Sequence, residues 1–188
     1  MRKLAVFNNI SLDGYFTDRH GDMSWAHIGA DDPKFRAFVA GNAKGGGELL
    51  FGRKTYELMA SYWPTPMAAR NDSVVAERMN ALPKVVFSRT LHQAAWRNTK
   101  LVKRGLAAQV RKMKAAPGPG MVILGSGSIV AQLTQEGLID EFQLVLNPVI
   151  LGGGRTMFDG LREKPSLALQ AMRRFANGKV FLSYGLAR

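Results

Sequence analysis

Three short apolar runs, each closed by a glycine or serine step that opens toward a helix, constrain this chain more than any other feature. They are Leu49-Leu50-Phe51 before Gly52-Arg53-Lys54-Thr55, Val85-Val86-Phe87 before Ser88-Arg89-Thr90, and Val122-Ile123-Leu124 before Gly125-Ser126-Gly127-Ser128. Continuous apolar runs of this length read as strands buried on both faces, the condition of a parallel sheet covered by helices. In such sheets ligands gather beyond the carboxyl ends of the strands. Three ends bearing glycines, hydroxyls and cations therefore predict a site for a large phosphorylated ligand.

The rest of the chain fits that sheet. Leu4 to Phe7 reads as a first strand, and Ser11-Leu12-Asp13-Gly14-Tyr15 opens a polar loop that runs to about Asp32; loops this long in compact domains are usually functional. Asp32-Pro33 starts a helix with Phe35, Phe38 and Val39 on its inner face. Gly45-Gly46-Gly47 then releases the chain into the strand at Glu48 to Phe51. A helix from Lys54 to Ser61 stops before Pro64, and Val74, Val75 and Met79 mark a second, short one. A basic amphipathic helix through Leu106, Val110 and Met113 ends at Pro117-Gly118-Pro119-Gly120. After the third run, Ile129, Val130 and Leu133 give a buried helix face, with Ser126 or Ser128 placed to cap its amides and Gly137 to end it.

From Glu141 to Leu146 apolar and polar residues alternate, which is strand periodicity. Leu167 to Phe175 and Lys179 to Tyr184 flank Asn177-Gly178, a pair suited to a two-residue type I′ turn, so an antiparallel hairpin is expected at the C-terminus. The predicted architecture is α/β: one domain over residues 1–188, a mostly parallel sheet with helices on both faces and an antiparallel C-terminal edge that could pair two subunits.

With 46% hydrophobic residues the 188-residue chain has material for a substantial core. There is no cysteine, hence no disulfide, thiolate nucleophile or cysteine metal site, which suits a reducing cytoplasm. The apolar stretch after Met1-Arg2-Lys3 is too short for a leader or a membrane span. The net charge of +12 is uneven, because ten Lys or Arg residues and no acid lie between Arg78 and Thr134. Such a block focuses an anionic cofactor, attracts nucleic acid, or simply solvates a surface. Only Phe87 and Trp96 are aromatic within it, which argues against base stacking and a nucleic-acid partner.

Gly47-x4-Gly52-Arg53-Lys54-Thr55 imitates a phosphate-binding P-loop, but an arginine separates glycine from lysine and the spacer reads as strand, so that reading fails. Gly52 to Thr55 still offers amides, two cations and a hydroxyl to a pyrophosphate, or else is an ordinary charged turn. In Ser88-Arg89-Thr90 a guanidinium between two hydroxyls suits a phosphate. Gly125-Ser126-Gly127-Ser128-Ile129 begins a dinucleotide fingerprint in which Val130 replaces the third glycine. His20, His27 and His92 lack metal-site spacing, and no metal is expected. The loop acids Asp13, Asp18, Asp22, Asp31 and Asp32 read as turn formers and caps. Trp25 either walls a pocket for a flat heterocycle or pins the loop. Gly152-Gly153-Gly154 allows a close backbone approach or a sharp turn.

Taken in order, these segments resemble the dihydrofolate reductase superfamily, and more closely the C-terminal reductase domain of the bifunctional riboflavin-biosynthesis deaminase-reductases. The resemblance is carried by Ile10-Ser11-Leu12-Asp13-Gly14-Tyr15, by Gly52-Arg53-Lys54-Thr55-Tyr56-Glu57, and by Gly125 through Gly154. Within the last stretch stand Glu136-Gly137-Leu138-Ile139-Asp140-Glu141 and Asn147-Pro148-Val149-Ile150-Leu151-Gly152-Gly153-Gly154. It implies a stand-alone reductase domain that uses NADPH on a pterin, a pyrimidinone or a related heterocycle. By that resemblance Gly52, Arg53, Lys54 and Thr55 lie near the pyrophosphate, and Ser88, Arg89 and Thr90 near the 2′-phosphate. Gly125, Ser126, Gly127, Ser128 and Ile129 lie along the phosphate and nicotinamide end. Ser11, Asp13 and Gly14 belong to a mobile loop over nicotinamide and substrate, with Trp25 and Phe35 on the substrate side. Asp32 is the nearest candidate for a proton-donating acid held neutral by an apolar pocket, with Asp31 in competition. Where the riboflavin enzymes commonly carry a substrate-binding glutamate, this chain has Leu124. A non-catalytic nucleotide-binding protein of the same fold is the alternative.

Overall fold

The computed structural model describes residues 1–29, 31–45 and 47–187. Along the chain lie β1 (Leu4–Ile10), β2 (Tyr15–Thr17), a 3-10 turn (Ser24–His27), α1 (Pro33–Gly45), β3 (Glu48–Gly52), α2 (Arg53–Tyr62), α3 (Pro66–Asn71) and α4 (Ser73–Ala81). There follow β4 (Lys84–Phe87), β5 (Thr99–Val102), α5 (Leu106–Ala115), β6 (Met121–Leu124), α6 (Gly127–Gln135), β7 (Glu141–Leu146), β8 (Arg155–Thr156), β9 (Leu167–Arg174) and β10 (Val180–Leu186). Of the glycine run before β3, Gly45 is the last residue of α1, and Gly46 lies outside the described residues.

The main sheet has the order β5-β4-β3-β6-β1-β7-β10-β9. From β5 to β7 every neighbouring pair is parallel, and β10 and β9 are antiparallel to their neighbours. The three apolar runs are therefore adjacent strands pointing one way. Leu50 pairs with Val85 on one side and Ile123 on the other, so their carboxyl ends form one row.

Alternation along each strand divides the core between two faces. Leu50, Val85 and Ile123 pack with Val110 and Met113 of α5 and with Ile129, Val130 and Leu133 of α6. Leu49, Phe51 and Val86 pack the other way, against Tyr56 of α2, Val75 and Met79 of α4, and Trp96. Further along that second face, Phe35 and Phe38 of α1 meet Val145, Phe175 and Phe181. Fully burying an aliphatic side chain of this kind contributes roughly 1.5–3 kcal/mol. Leu50, Val86, Ile123, Val110 and Leu133 have no exposed surface at all.

Several elements depart from the sequence reading. β1 continues through Asn8 and Asn9 to Ile10, because both asparagines find partners beside the sheet. β5 is an edge strand with only two apolar residues, too weak a pattern to read in advance. Within the polar loop, β2 pairs with β8 in a two-stranded sheet. Thr65 caps the additional helix α3, accepting from the Ala68 amide at 3.2 Å.

The C-terminal turn is also corrected. The Phe175 amide donates to the Lys179 carbonyl at 3.0 Å and the Gly178 amide to the Phe175 carbonyl at 3.2 Å, giving a three-residue loop in which only Gly178 has positive φ, +83°. A type I turn closed by a glycine bulge replaces the expected type I′ turn. The cause is tertiary. The Asn177 amide donates to Asp32 Oδ2 at 3.1 Å, and Asn177 Nδ2 donates to the Gly29 carbonyl at 2.8 Å.

Among the described residues no helix is long and apolar enough to cross a membrane. Two lysines, Lys84 and Lys179, are however buried with no acidic partner among the described residues. At the start of β4, Lys84 is 1% exposed. Its Nζ donates to the Leu82 carbonyl at 2.6 Å and the Asn80 carbonyl at 3.3 Å and lies 4.5 Å from the Trp96 ring centre. Burial, with a smaller contribution from Arg97, pushes its ammonium down to about 8.

Between pH 8 and the unfolded value near 10.4 the unfolded chain binds more protons at this site, so stability rises with pH across that window. Below the window both states are protonated and the burial penalty is present in full. Chemical denaturation of wild type and Lys84→Met at pH 7 and pH 10 measures this. The difference between the two proteins is expected to move by about 2 kcal/mol in favour of wild type at the higher pH; a constant difference contradicts a buried, titrating Lys84.

Candidate functional site

The β3 and β6 ends are locked together by one side chain. Ser126 Oγ accepts from the Gly52 amide at 2.7 Å. To reach it, Ser126 adopts φ +63° and ψ +56°, a left-handed conformation that costs a non-glycine residue on the order of 1 kcal/mol. Gly125 before it is also left-handed, at φ +61°, and a Cβ there would stand 2.8 Å from Thr55 Cγ2 and 2.9 Å from Thr55 Oγ1. The β6-to-α6 step thus fits against the β3-to-α2 step with no room for a side chain.

This geometry corrects the expected capping by serine. Ser126 turns its hydroxyl toward Gly52, and no side chain caps α6. The first amides of a helix have no intrahelical partner and carry the positive end of its dipole. The Ile129 amide donates to the Ser126 carbonyl at 3.0 Å, so the amides of Gly127 and Ser128 are the two that α6 leaves without a partner among the described residues, on a helix held firmly by Ile129, Val130 and Leu133.

The β4 end lies beside this junction. Gly52 pairs with Phe87, which places Ser88 next in the row. Ser88 Oγ accepts from the Thr90 and Leu91 amides at 3.2 and 2.9 Å, forming a tight turn that leaves Arg89 and Thr90 exposed. Arg53 makes an exposed pair with Glu57 at 3.2 Å, one helical turn away. Among the described residues neither the Lys54 ammonium nor the Arg89 guanidinium has a hydrogen-bond partner. The row offers amides, hydroxyls and two uncommitted cations, a chemistry that suits phosphates.

The loop residues are tied down. The Ser11 amide donates to the Tyr15 carbonyl at 2.8 Å, and the Leu12 amide to the Val149 carbonyl at 2.8 Å. Asp13 accepts from the Leu151 and Gly152 amides at 3.1 and 2.7 Å; hydrogen bonding, first from the Ser11 side chain and then from these amides, holds its carboxyl below the usual range. Gly14 makes the bend at φ +86°. Trp25 is buried, and its indole N–H donates to the Asp22 carbonyl at 3.2 Å, so it fastens the loop to itself. Phe35 sits in the aromatic cluster, edge-on to Phe175 at 5.2 Å. The run Gly152 to Gly154 serves the loop as well, since a Cβ on Gly154 would stand 1.9 Å from the Thr17 carbonyl oxygen.

Asp32 departs from the expected acid. Its Oδ1 accepts from the Lys34 and Phe35 amides at 2.8 and 3.0 Å, capping α1, and its Oδ2 accepts from Asn177. These backbone hydrogen bonds, with Phe35 the largest contributor, lower its pKa. A carboxyl raised by an apolar pocket is not what the structure contains here. Asp31, the competitor, is exposed.

Sequence reasoning missed three residues at the ends of β1 and β6. Asn8 is buried, and its Nδ2 donates to Met157 Sδ at 2.7 Å and to the Gly125 carbonyl at 3.4 Å. Phe16 lies against Gly127, where a Cβ would meet its ring at 2.8 Å. The signal for Asn8 was the polar pair Asn8-Asn9 after an apolar strand; Phe16 and Met157 gave none. Two open clefts of about 380 and 340 Å³ lie beside α2 and beside α3, and neither is lined by the strand-end residues.

Comparison with known proteins agrees with this fold. The model of the RibD C-terminal domain family matches residues 2–181. YyaP of Bacillus subtilis (strain 168), described only as uncharacterized, is 26% identical over 183 residues, covering 97% of this chain and 94% of that one. A solved structure from Shewanella sp. PV-4, provisionally assigned to riboflavin biosynthesis, superposes with TM-score 0.73 at 23% identity and covers 99% of both chains. The diaminohydroxyphosphoribosylaminopyrimidine deaminase/5-amino-6-(5-phosphoribosylamino)uracil reductase of Thermotoga maritima superposes with TM-score 0.69 at 13% identity, with 99% of this chain matched to 57% of that one. The family match spans nearly the whole chain and the fold is shared with these structures: the chain belongs to the RibD C-terminal domain family, a reductase-type domain of the dihydrofolate reductase-like superfamily.

Proposed function

We propose that this protein is an NADPH-dependent reductase of a pterin, a pyrimidinone or a related nitrogen heterocycle, working in the cytoplasm. The reading rests chiefly on the row of strand ends, where uncapped α6 amides and the exposed residues Lys54 and Arg89 follow the carboxyl ends of adjacent parallel strands. In this reading the α6 amides and Gly52 to Thr55 hold the pyrophosphate, and Ser88, Arg89 and Thr90 hold the 2′-phosphate. Asn8, Phe16 and Gly125 border the nicotinamide. When bound, NADPH supplies a hydride to the carbon of a C=N or C=O bond.

The chain's own contribution is positional. Fixing the reacting faces against the strand ends removes the entropy of bringing them together. Asp32, ionised as the cap of α1, orients that helix, and the proton for nitrogen or oxygen comes from water. The same observation favours a second reading, nucleotide binding without turnover. The two separate on one assay: NADPH fluorescence on titration, followed by its oxidation with a panel of pterins and pyrimidinones. Oxidation supports the reductase, tight binding without oxidation supports the second reading, and absence of binding contradicts both.

Two substitutions test the assigned contacts. Arg89→Ala is expected to weaken NADPH at least tenfold while leaving NADH nearly unchanged, a cost of about 1.5–3 kcal/mol for a charged hydrogen bond. Equal loss for both cofactors removes the 2′-phosphate contact from Arg89. Gly125→Ala forces a left-handed alanine against Thr55 and is expected to destabilise the fold by about 1–3 kcal/mol and to weaken NADPH and NADH together. Unchanged melting and affinity contradict the locked junction.

A further inference from the structure

Buried Lys179 has electron-rich neighbours on every side that the structure describes. It is 1% exposed. Its Nζ donates to the Ala26 carbonyl at 2.9 Å and to Asn147 Oδ1, and it lies 5.3 Å from the Phe35 ring centre. An ammonium has donors and no acceptor. The end of Asn147 that faces it must therefore be the carbonyl oxygen, because the amide nitrogen turned that way would set donor against donor.

The other end of Asn147 agrees. Its Nδ2 faces oxygens only, donating to the Val145 carbonyl at 2.9 Å and to the Ile10 carbonyl and Asn9 Oδ1 at 3.2 Å each. A carboxamide is an acceptor at one end and a donor at the other, so fixing one end fixes both. The same logic passes to Asn9. Its oxygen is taken by Asn147, and its Nδ2 has no hydrogen-bond partner among the described residues. Asn9 is partly open, and the one buried side-chain nitrogen or oxygen without a partner among the described residues is Thr134 Oγ1, so the Asn9 nitrogen reaches solvent. Asn9 also stands where the strand ends meet. Phe7 is level with Leu124, which sets Asn9 at the height of the Gly125-Ser126 step. Alternation puts it on the side of Phe7, which Phe38 of α1 covers, while Asn8 reaches the Gly125 carbonyl on the other side.

We propose that Asn9 donates to the ring carbonyl of the heterocycle, and that Lys179, acting through Asn147, is the positioning residue that makes Asn9 a donor. This role rests on the reductase reading above. Pterins and pyrimidinones share a ring carbonyl, and Asn9 Nδ2 offers that oxygen a donor whose orientation is set by a group unable to accept. A ring with an amino group in place of the carbonyl would set two donors face to face with no water between them, a mismatch that costs more than the hydrogen bond gains. Without Lys179, both carboxamides are free to turn over and the site takes either group. The buried cation thus selects the ligand without touching it.

Calorimetry of the full chain saturated with NADPH, titrated with pterin and with 2,4-diaminopteridine, reads the polarity of Asn9, because the second ring carries an amino group where pterin has its carbonyl. Wild type is expected to bind pterin about tenfold more tightly. Asn9→Asp presents an acceptor instead and is expected to reverse the preference. Lys179→Met is expected to bring the two affinities within about twofold of each other, a change of ratio that a loosened structure alone does not produce. Lys179→Arg, another donor with no acceptor, is expected to restore the ratio. Asn9→Asp lies at a partly open position and gives its answer however Lys179→Met folds. A wild type that binds neither ring overturns the reductase reading and this role with it. A wild type that binds both rings equally, an unchanged ratio in Asn9→Asp, or an equal loss of both affinities in Lys179→Met overturns this role and leaves the reductase reading standing.

Discussion

The amide of Gly52 and the hydroxyl of Ser126 make the contact on which the strand-end region depends. It joins neighbouring strands where their ladder has ended, and it holds Ser126 in a conformation that a serine does not adopt freely. The same contact removes the hydroxyl from the helix it would otherwise cap. One hydrogen bond thereby links the β3 and β6 ends, stores local strain and leaves the amides of α6 open. Glycine is required at 125, where a left-handed residue with a methyl group would press on Thr55, whereas a methyl group at 52 would crowd Ser126 by only a few tenths of an ångström.

The rest of the fold brings two sources of positive potential to that junction. The helix dipole contributes a fixed partial charge, and the acid-free stretch from Arg78 to Thr134 contributes cations, of which Arg89 stands at the β4 end. On the far side, the C-terminal hairpin secures the loop between β1 and α1. Asn177 grips Gly29 and Asp32, and buried Lys179 donates to the Ala26 carbonyl at 2.9 Å and to Asn147 Oδ1. The loop beside the strand ends is therefore anchored by residues about 150 positions away in the chain.

Much of this was legible in the sequence because it depends on local signals. Uninterrupted apolar runs marked β3, β4 and β6 to within a residue, and their glycine or serine endings marked the row. The alternation from Glu141 to Leu146 marked β7. What stayed hidden depends on long-range partners. Asp32 looked like an acid for chemistry, yet its carboxylate is satisfied by two amides of its own helix and one from the distant hairpin. Asn177-Gly178 carries a type I′ signature, but Asn177 is committed to Gly29 and Asp32. Ser126 and Ser128 stood where caps belong, and only the neighbouring strand end shows why Ser126 turns away. β5, with two apolar residues at the sheet edge, has no pattern strong enough to stand out.

The central claim is that three separate strand ends act as one NADPH site. Amide chemical shifts of the isotopically labelled protein during an NADPH titration test it most directly. The account predicts that the amides of Gly52, Arg89 and Gly127 shift together along one saturation curve, while those of β9 stay fixed. Shifts confined to a single strand end, or none at the three ends, contradict it.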